Sequence, residues 1–203
     1  MVRKTRKIKD KWKEKRWITV LAPDSFNNVP VAYIPITNDK TAIGRVVEVT
    51  LFDILKGDPS QHQYKLFFKI DKVTDAKATT VFKRYEYSKE FLRSLIRRGS
   101  SRINFIIDTK TKDGHLYRIK VLTLSHRELN TSRKRALRLE AKKQIEKIVP
   151  QMTIDEFAQA ACYGKINSDI MAATKKIIRV RHVGLEKVKL LRTSKEEVAL
   201  LEA

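Results

Sequence analysis

The chain has 203 residues, of which 42% are hydrophobic, so it can bury the core of one ordinary domain or of two small ones. Its formal net charge of +21 sets it apart from a typical cytosolic enzyme and indicates a polyanionic partner, first RNA or DNA and second an anionic membrane. The single cysteine, Cys162, excludes an internal disulfide framework, and no run of apolar residues is long enough to predict a transmembrane helix.

The positive charge is concentrated in three windows. Residues 1–16 carry net +7, residues 127–143 carry +5 and residues 175–192 carry +6, which together make +18 of the +21. The rest of the chain is nearly neutral. Concentrated cationic charge repels itself, so three basic patches on a neutral body favour an anionic ligand.

Residues 1–16 are predicted to form a basic RNA-binding arm without a core of its own. The stretch KIKDKWKEK (7–15) has a lysine at every second position. A helix would spread these lysines around all its sides, whereas an extended chain aligns them about 6–7 Å apart on one side. A targeting peptide is disfavoured by Asp10 and Glu14, and a solvated surface remains the alternative. The predicted RNA-contacting residues of the arm are Lys4, Arg6, Lys7, Lys9, Lys11, Trp12, Lys13, Lys15 and Arg16.

Trp12 has two open interpretations. It could stack on a base, as exposed aromatic rings do in proteins that bind single strands, or it could pin the arm to the protein body near Trp17.

Residues 17–125 read mainly as strands. WITVLA (17–22) is a predicted strand, the following APDSFNNVP is a loop, and alternation predicts a half-buried strand in GRVVEVTLFDIL from Gly44. Further strands are predicted over 62–73 and 79–87.

A short helix should follow from a Ser88 cap to Arg98, and Asp113-Gly114 predicts a hairpin turn because glycine accepts positive φ.

The period then changes to that of helices. Apolar residues recur at helical spacing over 132–149, Thr153 and Glu156 form a predicted capping box for a second helix through Cys162, and Ser168 is a candidate cap for a third. The chain returns to period two over 177–183 and 185–191.

This order predicts an α+β fold: an antiparallel β-barrel or sandwich core with flanking α-helices and a basic N-terminal arm. The chain is predicted to have a basic arm at 1–16, a single β-rich domain at 17–192 and a polar tail at 193–203. Within the domain we expect strands in 17–125, helices in 131–175 and closing strands in 177–191.

Enzyme signatures are scarce. The chain has no phosphate-binding glycine loop and no nucleophile elbow, and its four histidines share no ligand spacing with one another or with Cys162. Cys162 lies in an apolar helical pattern and is predicted to be a small buried filler. We therefore expect no catalysis, no metal and no cofactor.

Two further basic segments are predicted to bind RNA. Cations in the first turn of the helix near Ser132 oppose its dipole, and a phosphate there would satisfy both the free N–H groups and the arginines. Cations that alternate along the closing strands would share one exposed face, unless they only blunt a solvated edge strand. The candidates are Arg133, Lys134, Arg135, Arg138 and Lys142 on the helix, and Arg179, Arg181, Lys187 and Lys189 on the strands.

Several blocks resemble one family, the S-three-A-e family (also called e-S-one) of archaeal and eukaryotic small-subunit ribosomal proteins. They are KRWITVLAPDSFN, GRVVEVTLFDIL, TKTKDGHLYRIKVL, RKRALRLEAKKQIEKI and HVGLEKVKLLR, and they run in the family's order from about residue 15 to 192. The short arm and the short tail are similar to the archaeal form.

The resemblance implies a β-barrel core with flanking helices on the platform of the small (30S) subunit near the mRNA exit. It implies contact with rRNA, in its 3′ region, with neighbouring platform proteins and with mRNA near the exit, all in the cytoplasmic ribosome, without catalysis or cofactor. The alternative function is a free RNA chaperone or single-stranded RNA-binding protein, which would need exposed aromatics. Tyr64, Phe68, Phe82 and Tyr85 are the candidates, but their alternation is that of core residues.

Overall fold

The computed structural model describes residue 10 and residues 12–193. This part of the chain forms eight strands and six α-helices. The strands are β1 Arg16–Leu21, β2 Pro30–Ile36, β3 Val46–Thr50, β4 Tyr64–Thr74, β5 Lys77–Tyr87, β6 Arg102–Lys110, β7 Leu116–Ser125 and β8 Val180–Arg192. The helices are α1 Asp39–Ala42, α2 Leu51–Leu55, α3 Lys89–Leu95, α4 Thr131–Ile148, α5 Ile154–Cys162 and α6 Lys165–Lys175. None of the described helices combines the length and the apolar content that crossing a membrane requires.

The strands form one branched sheet with the order β2-β1-β5-β8-β7-β6, to which β4 and β3 are added through β5. Strand β5 is long enough to pair with three neighbours: β4 along one edge, β1 near its start and β8 near its end. The β1–β5 pairing is parallel, and the other pairings are antiparallel.

The predicted α+β class is confirmed, whereas a closed barrel is not shown. Among the described strands, none of the pairings joins β2 or β3 to β6, so the sheet is open. A sandwich-like arrangement remains compatible with this sheet.

The main core lies between one face of the sheet and the helices α4, α5 and α6. Tyr117, Ile119 and Val121 alternate along β7 and are buried, because every second side chain of a strand points to the same face. They meet Leu137 of α4 and Phe157 of α5, and the Tyr117 and Phe157 rings lie 5.1 Å apart. Burial of these large side chains orients the helices on the sheet.

A second, smaller core lies under β1 and β2. It contains Ile18, Val20, Ile36, Ala42, Ile70 and Ala78. This cluster holds the β1–β2 hairpin against α1 and the middle of β4, and it leaves the other face of the hairpin outside.

Several local predictions are confirmed. The β6–β7 hairpin turns at Asp113-Gly114, where Gly114 has a φ of +80°. Ser88 caps α3 by accepting a hydrogen bond from the Phe91 amide at 3.3 Å. Thr153 and Glu156 form the predicted capping box of α5.

Other boundaries differ from the prediction. The strand that was expected from Gly44 into Leu51 ends at Thr50, because Thr50 and Asp53 form a capping box that starts α2. The alternating Val47, Val49 and Leu51 therefore span two elements. Strand β2 was not predicted, because its two prolines are typical of a loop.

The third helix and the closing strands differ as well. Helix α6 begins at Lys165 after Gly164, which has a φ of +75°, so Ser168 lies inside the helix and does not cap it. Its hydroxyl donates to the Lys165 carbonyl instead. The two predicted closing strands are one continuous strand, β8, which passes through Gly184 without a break.

Candidate nucleic-acid interface

Two of the predicted basic segments meet in one surface cleft. Arg133 from the first turn of α4 and Arg179 from the entry to β8 both line a cleft of about 490 Å³. His126 and Arg127 from the β7–α4 loop line it too, together with Glu128, Leu129 and Ile178. Three arginines from three separate segments thus surround one open space, which is the arrangement that a phosphate group fits.

Two buried serines anchor the loop that carries His126 and Arg127. The Ser101 amide donates to the Ser125 hydroxyl at 2.9 Å, and the Leu129 amide donates to the Ser101 hydroxyl at 3.0 Å. The Ser125 hydroxyl also donates to the Arg127 carbonyl. The end of β7 therefore fixes the backbone of this loop beside the start of α4.

The start of α4 has the electrostatic character expected from the sequence. The N-cap residue, Asn130, makes no side-chain capping bond, and the first turn has no acidic residue. Arg133 there opposes the helix dipole, so folding alone does not explain it. An anion in the cleft would complement both the dipole and the arginines.

The five cations predicted on α4 are divided among three environments. Arg133 faces the cleft, and Lys134 is half-buried. Arg135, Arg138 and Lys142 are exposed and lie at i, i+3 and i+7, so they form a stripe on the side away from the core. Lys142 is also paired with Glu146 at 3.6 Å, a weak exposed contact.

The cations predicted on the closing strands do not form one row, which corrects the sequence prediction. Arg179 faces the cleft, whereas the Arg181 guanidinium donates to the Leu95 carbonyl at the end of α3. Lys187 and Lys189 lie further along β8. The pairing of β8 with β7 shifts three times, and the shift at Glu186 moves the buried positions from odd to even residue numbers. Strand β8 is also an interior strand, so the interpretation of these lysines as edge blunting is wrong.

Lys187 and Lys189 belong instead to a charged face of the sheet. Register places their side chains in two rows that cross six strands. One row is Glu48, Phe67, Arg84, Lys189, Arg118 and Asp108, and the next is Thr50, Lys65, Glu86, Lys187, Lys120 and Ile106. Arg84 covers the Phe67 ring at 4.0 Å, a cation–π contact.

The carboxylates of this face are all paired with cations. The pairs are Glu48 with Lys65 at 2.7 Å, Glu86 with Arg84 and Lys187 at 3.2 Å each, Asp108 with Arg118 at 2.8 Å, and Glu186 with Lys120 at 2.6 Å and Arg102 at 3.4 Å. The hydrogen bonds from Arg118 hold the pKa of the Asp108 carboxyl below its usual value, and the bond and charge of Glu48 raise the pKa of Lys65. Seven cations against four carboxylates leave this face with an excess positive charge.

Part of the predicted arm falls outside the described residues, namely Lys4, Arg6, Lys7, Lys9 and Lys11. In the described part, residues 12–14 form a turn, and the Lys15 ammonium lies 3.7 Å from the centre of the Trp12 ring. The predicted extended row therefore does not continue through Lys13 and Lys15. Arg16 opens β1 and pairs with Asp39.

Trp12 does not pin the arm to the body in this structure. Its side chain is 65% exposed, and its ring faces Lys15, three residues further along the same arm. The interpretation in which Trp12 stacks on a base stays a prediction.

The interpretation of Phe68, Phe82 and Tyr85 as core residues is confirmed, so they offer no surface for single-strand binding. All three are at most 1% exposed and belong to the main core, and Tyr64 is half-buried beside Tyr85. Burial raises the pKa of Tyr85 well above its ordinary value. Their alternation places them on the inner face of the sheet, where a base cannot reach them.

Outside the basic surfaces, the residue types that most often carry chemistry are the single cysteine and the metal-ligating side chains. Cys162 is buried, as predicted, and burial raises the pKa of its thiol. Among the described residues, no group of three or more His, Cys, Asp or Glu side chains is placed to hold a metal ion.

Sequence reasoning missed His126 and Arg127 in the cleft and Arg84, Arg118 and Lys120 on the charged face. Arg127 lies inside the basic window 127–143, so the charge count alone could have included it. The residues of the charged face come from strands that are close only through long-range pairing, and no local pattern brings them together.

Comparison with known proteins agrees with the resemblance in the sequence. The model of the Ribosomal S3Ae family, which is the S-three-A-e family, matches residues 3–194. A protein of Desulfurococcus amylolyticus is 40% identical over 184 residues, which cover 91% of this chain and 86% of the relative. A protein of Staphylothermus marinus has the same identity and coverage, and one of Saccharolobus islandicus is 40% identical over 91% of this chain and 88% of its own length. All three relatives are named small ribosomal subunit protein eS1.

Proposed function

This chain belongs to the Ribosomal S3Ae family, and on that premise we propose that it is a structural constituent of the small ribosomal subunit that binds rRNA through its basic cleft. The observation that carries the proposal is the convergence of Arg127, Arg133 and Arg179, with His126, on one cleft of about 490 Å³. These residues come from three segments that folding brings together.

The cleft would hold a phosphate of the rRNA backbone. A planar guanidinium group can donate two parallel hydrogen bonds to the oxygens of one phosphate. The free backbone N–H groups at the start of α4 would add further hydrogen-bond donors. Arg135 and Arg138 on the exposed stripe of α4 would contact the next phosphates along the strand. Such contacts fix the position of the protein on RNA without reading its sequence.

The site on the subunit is a finer proposal that rests on family membership. We place the protein on the platform near the mRNA exit of the cytoplasmic 30S subunit. Its partners there would be the 3′ region of the rRNA, the neighbouring platform proteins and mRNA near the exit. The arm of residues 1–16 would extend this contact. Its net charge of +7 comes from a different part of the chain and would add phosphate contacts to those of the cleft. The domain at 17–192 would be the folded body, and 193–203 a polar tail.

The experiment is incorporation of the tagged chain into small subunits, followed by sedimentation. Reversal of two cleft charges, Arg133→Glu with Arg179→Glu, should reduce the fraction that co-sediments with small subunits at least tenfold at moderate salt. The same variant should keep the melting temperature of the isolated protein, since Arg133 is exposed and neither residue is paired with an acid in the described structure.

The matched control reverses two exposed lysines away from the cleft, Lys72 and Lys89. It has the same change of net charge and should co-sediment nearly as the natural chain does. A natural chain that stays wholly in the soluble fraction at low salt would refute the proposed function. Equal loss in both variants would mean that the cleft has no special part in it.

A further inference from the structure

Two large aromatic side chains are exposed on the outward face of the β1–β2 hairpin. Trp17 is 62% exposed and Tyr33 is 69% exposed. The alternation of the strands explains their position. Ile18 and Val20 point into the smaller core, so Trp17 and Thr19, which alternate with them, point outward, as does Tyr33, the partner of Thr19. Register pairs Trp17 with Pro35 and Thr19 with Tyr33, so the two rings are diagonal neighbours on one surface.

Folding does not require aromatic residues at these positions. Their rings contribute little to either core, since most of each side chain is in water. Strand β2 is at the end of the sheet order, but Pro30 and Pro35 remove two of its amide donors, which disfavours addition of another strand at this edge. The surface therefore offers rings to a partner more readily than it offers backbone hydrogen bonds.

Two cations of the folded body lie near the two rings. Lys77 of β5 is the register partner of Thr19 on its other side, so Tyr33, Thr19 and Lys77 form one row. The Arg45 guanidinium donates to the Pro35 carbonyl at 3.4 Å, next to Trp17 in the register. Strand β1 also continues directly from the arm, whose residues 1–16 carry net +7.

We propose that Trp17 and Tyr33 form a stacking surface for unpaired bases of single-stranded RNA. Arg45 and Lys77 would accompany the phosphates. Exposed rings stack on any base, and cations beside them follow the backbone, which is the combination that binds single strands without strict sequence preference. The inference rests on the proposed function, since it names the kind of RNA that a second surface of the same protein takes.

The experiment uses the full chain with Trp12→Phe, which leaves Trp17 as the only tryptophan. The probes are a single-stranded oligouridylate of about ten nucleotides and an RNA duplex with about as many phosphates. We expect the oligouridylate to quench Trp17 fluorescence and the duplex to leave it unchanged. Loss of quenching with both probes, or equal quenching by both, would overturn the inference.

Paired substitutions separate stacking from apolar contact. Trp17→Leu and Tyr33→Leu should each weaken oligouridylate binding about tenfold, while Trp17→Phe and Tyr33→Phe should retain most of it. All four side chains remain on the surface, so melting temperatures should not change. If leucine and phenylalanine act alike, or if the leucine variants bind RNA normally but enter small subunits poorly, the surface takes a protein partner and the inference fails.

The two proposals fail separately. The cleft variant with Arg133→Glu and Arg179→Glu keeps both rings, so its Trp17 quenching should persist even though incorporation into subunits falls. Normal incorporation of that variant would count against the cleft and leave the stacking surface standing. Absent Trp17 quenching together with impaired incorporation would count against the stacking surface and leave the cleft standing.

Discussion

Lys120 and Glu186 join two neighbouring strands at the point where the register of β8 shifts. The Lys120 ammonium lies 2.6 Å from one carboxylate oxygen of Glu186, although Glu186 is only 8% exposed. Arg102 and Asn104 donate to the same carboxylate at 3.4 Å and 3.3 Å. A buried carboxylate with three donors is well satisfied, and the bulge that carries it is held to both β6 and β7.

Substitution of Glu186 by Gln should therefore destabilise the fold. The neutral amide loses the charge-assisted bonds to Lys120 and Arg102, whose charged ends are partly exposed and can be hydrated, so we expect a loss of about 1–3 kcal/mol in the free energy of unfolding. Urea unfolding at constant m-value is the measurement. Glu128→Gln, at an exposed glutamate, should change the free energy by less than about 0.5 kcal/mol. Equal stability of the natural chain and the Glu186 variant would show that the network contributes nothing to the fold.

The elements with strong local signals could be predicted from the sequence. The hairpin at Gly114 needs positive φ at a tight turn, and the capping boxes and caps depend on residues three positions apart. Strand β2 was missed because its prolines also have the composition of a loop. It is a strand because the register with β1 buries Ile36 against Ile18 in the smaller core, which is a long-range cause.

The site was predictable only in part for the same reason. Local charge identified Arg133 and Arg179, but their convergence on one cleft depends on the packing of α4 against α6 and of α6 against β8. Simple alternation placed Arg179, Arg181 and Lys187 in one row. It failed because each extra residue in β8, at Arg181 and again at Glu186, exchanges the two faces of the strand, and these bulges leave no clear mark in the sequence.

Gly184 should tolerate no larger side chain while Tyr87 is present. A Cβ at residue 184 would lie 2.8 Å from Cζ of the Tyr87 ring and 3.0 Å from Nε2 of His182. Both neighbours are packed, so we expect Gly184→Ala to reduce the free energy of unfolding by about 1–3 kcal/mol. Thermal unfolding monitored by circular dichroism is the measurement.

A double-mutant cycle with Tyr87→Leu tests the cause. Removal of the ring frees the space, so the cost of Gly184→Ala should fall by about 1 kcal/mol or more in that background. Gly44→Ala is the control, because a Cβ at Gly44 meets no atom within 4 Å and its cost comes from a φ of +86°. That cost should be the same with and without the Tyr87 ring. Additive effects of Gly184→Ala and Tyr87→Leu would refute the steric explanation.

His182 should make the fold less stable in mild acid. Burial, with a smaller contribution from the Arg181 charge, lowers the pKa of His182 below its ordinary value, and Nε2 has no hydrogen-bond partner in the described structure. The unfolded chain thus binds a proton at a higher pH than the folded chain does. Stability should fall as the pH drops below the unfolded pKa of about 6.5, and the fall should end near the lower folded pKa.

The substitution His182→Phe keeps a ring beside Tyr87 and Phe91 and removes the titrating group. We expect the melting temperature of this variant to decline less between pH 7.5 and pH 5 than that of the natural chain. His126→Phe, at an exposed histidine of the cleft, controls for the loss of a histidine as such. An unchanged pH profile in the His182 variant would assign the acid sensitivity to other groups.

The cleft cations should determine part of the salt dependence of RNA binding. Each cation that neutralises a phosphate releases counterions, so replacement of Arg127, Arg133 and Arg179 by Gln should reduce the slope of log K against log salt by roughly 2, at about 0.7–0.9 for each contact. Fluorescence anisotropy with a structured fragment of small-subunit rRNA between about 0.1 M and 0.3 M salt is the measurement.

The control replaces three exposed lysines away from the cleft, Lys72, Lys89 and Lys112, and removes the same charge. It should keep the slope within about 0.5 of the natural value, because long-range charge without phosphate contact releases few counterions. An equal drop in both triple variants would mean that the RNA responds to net charge alone and does not occupy the cleft.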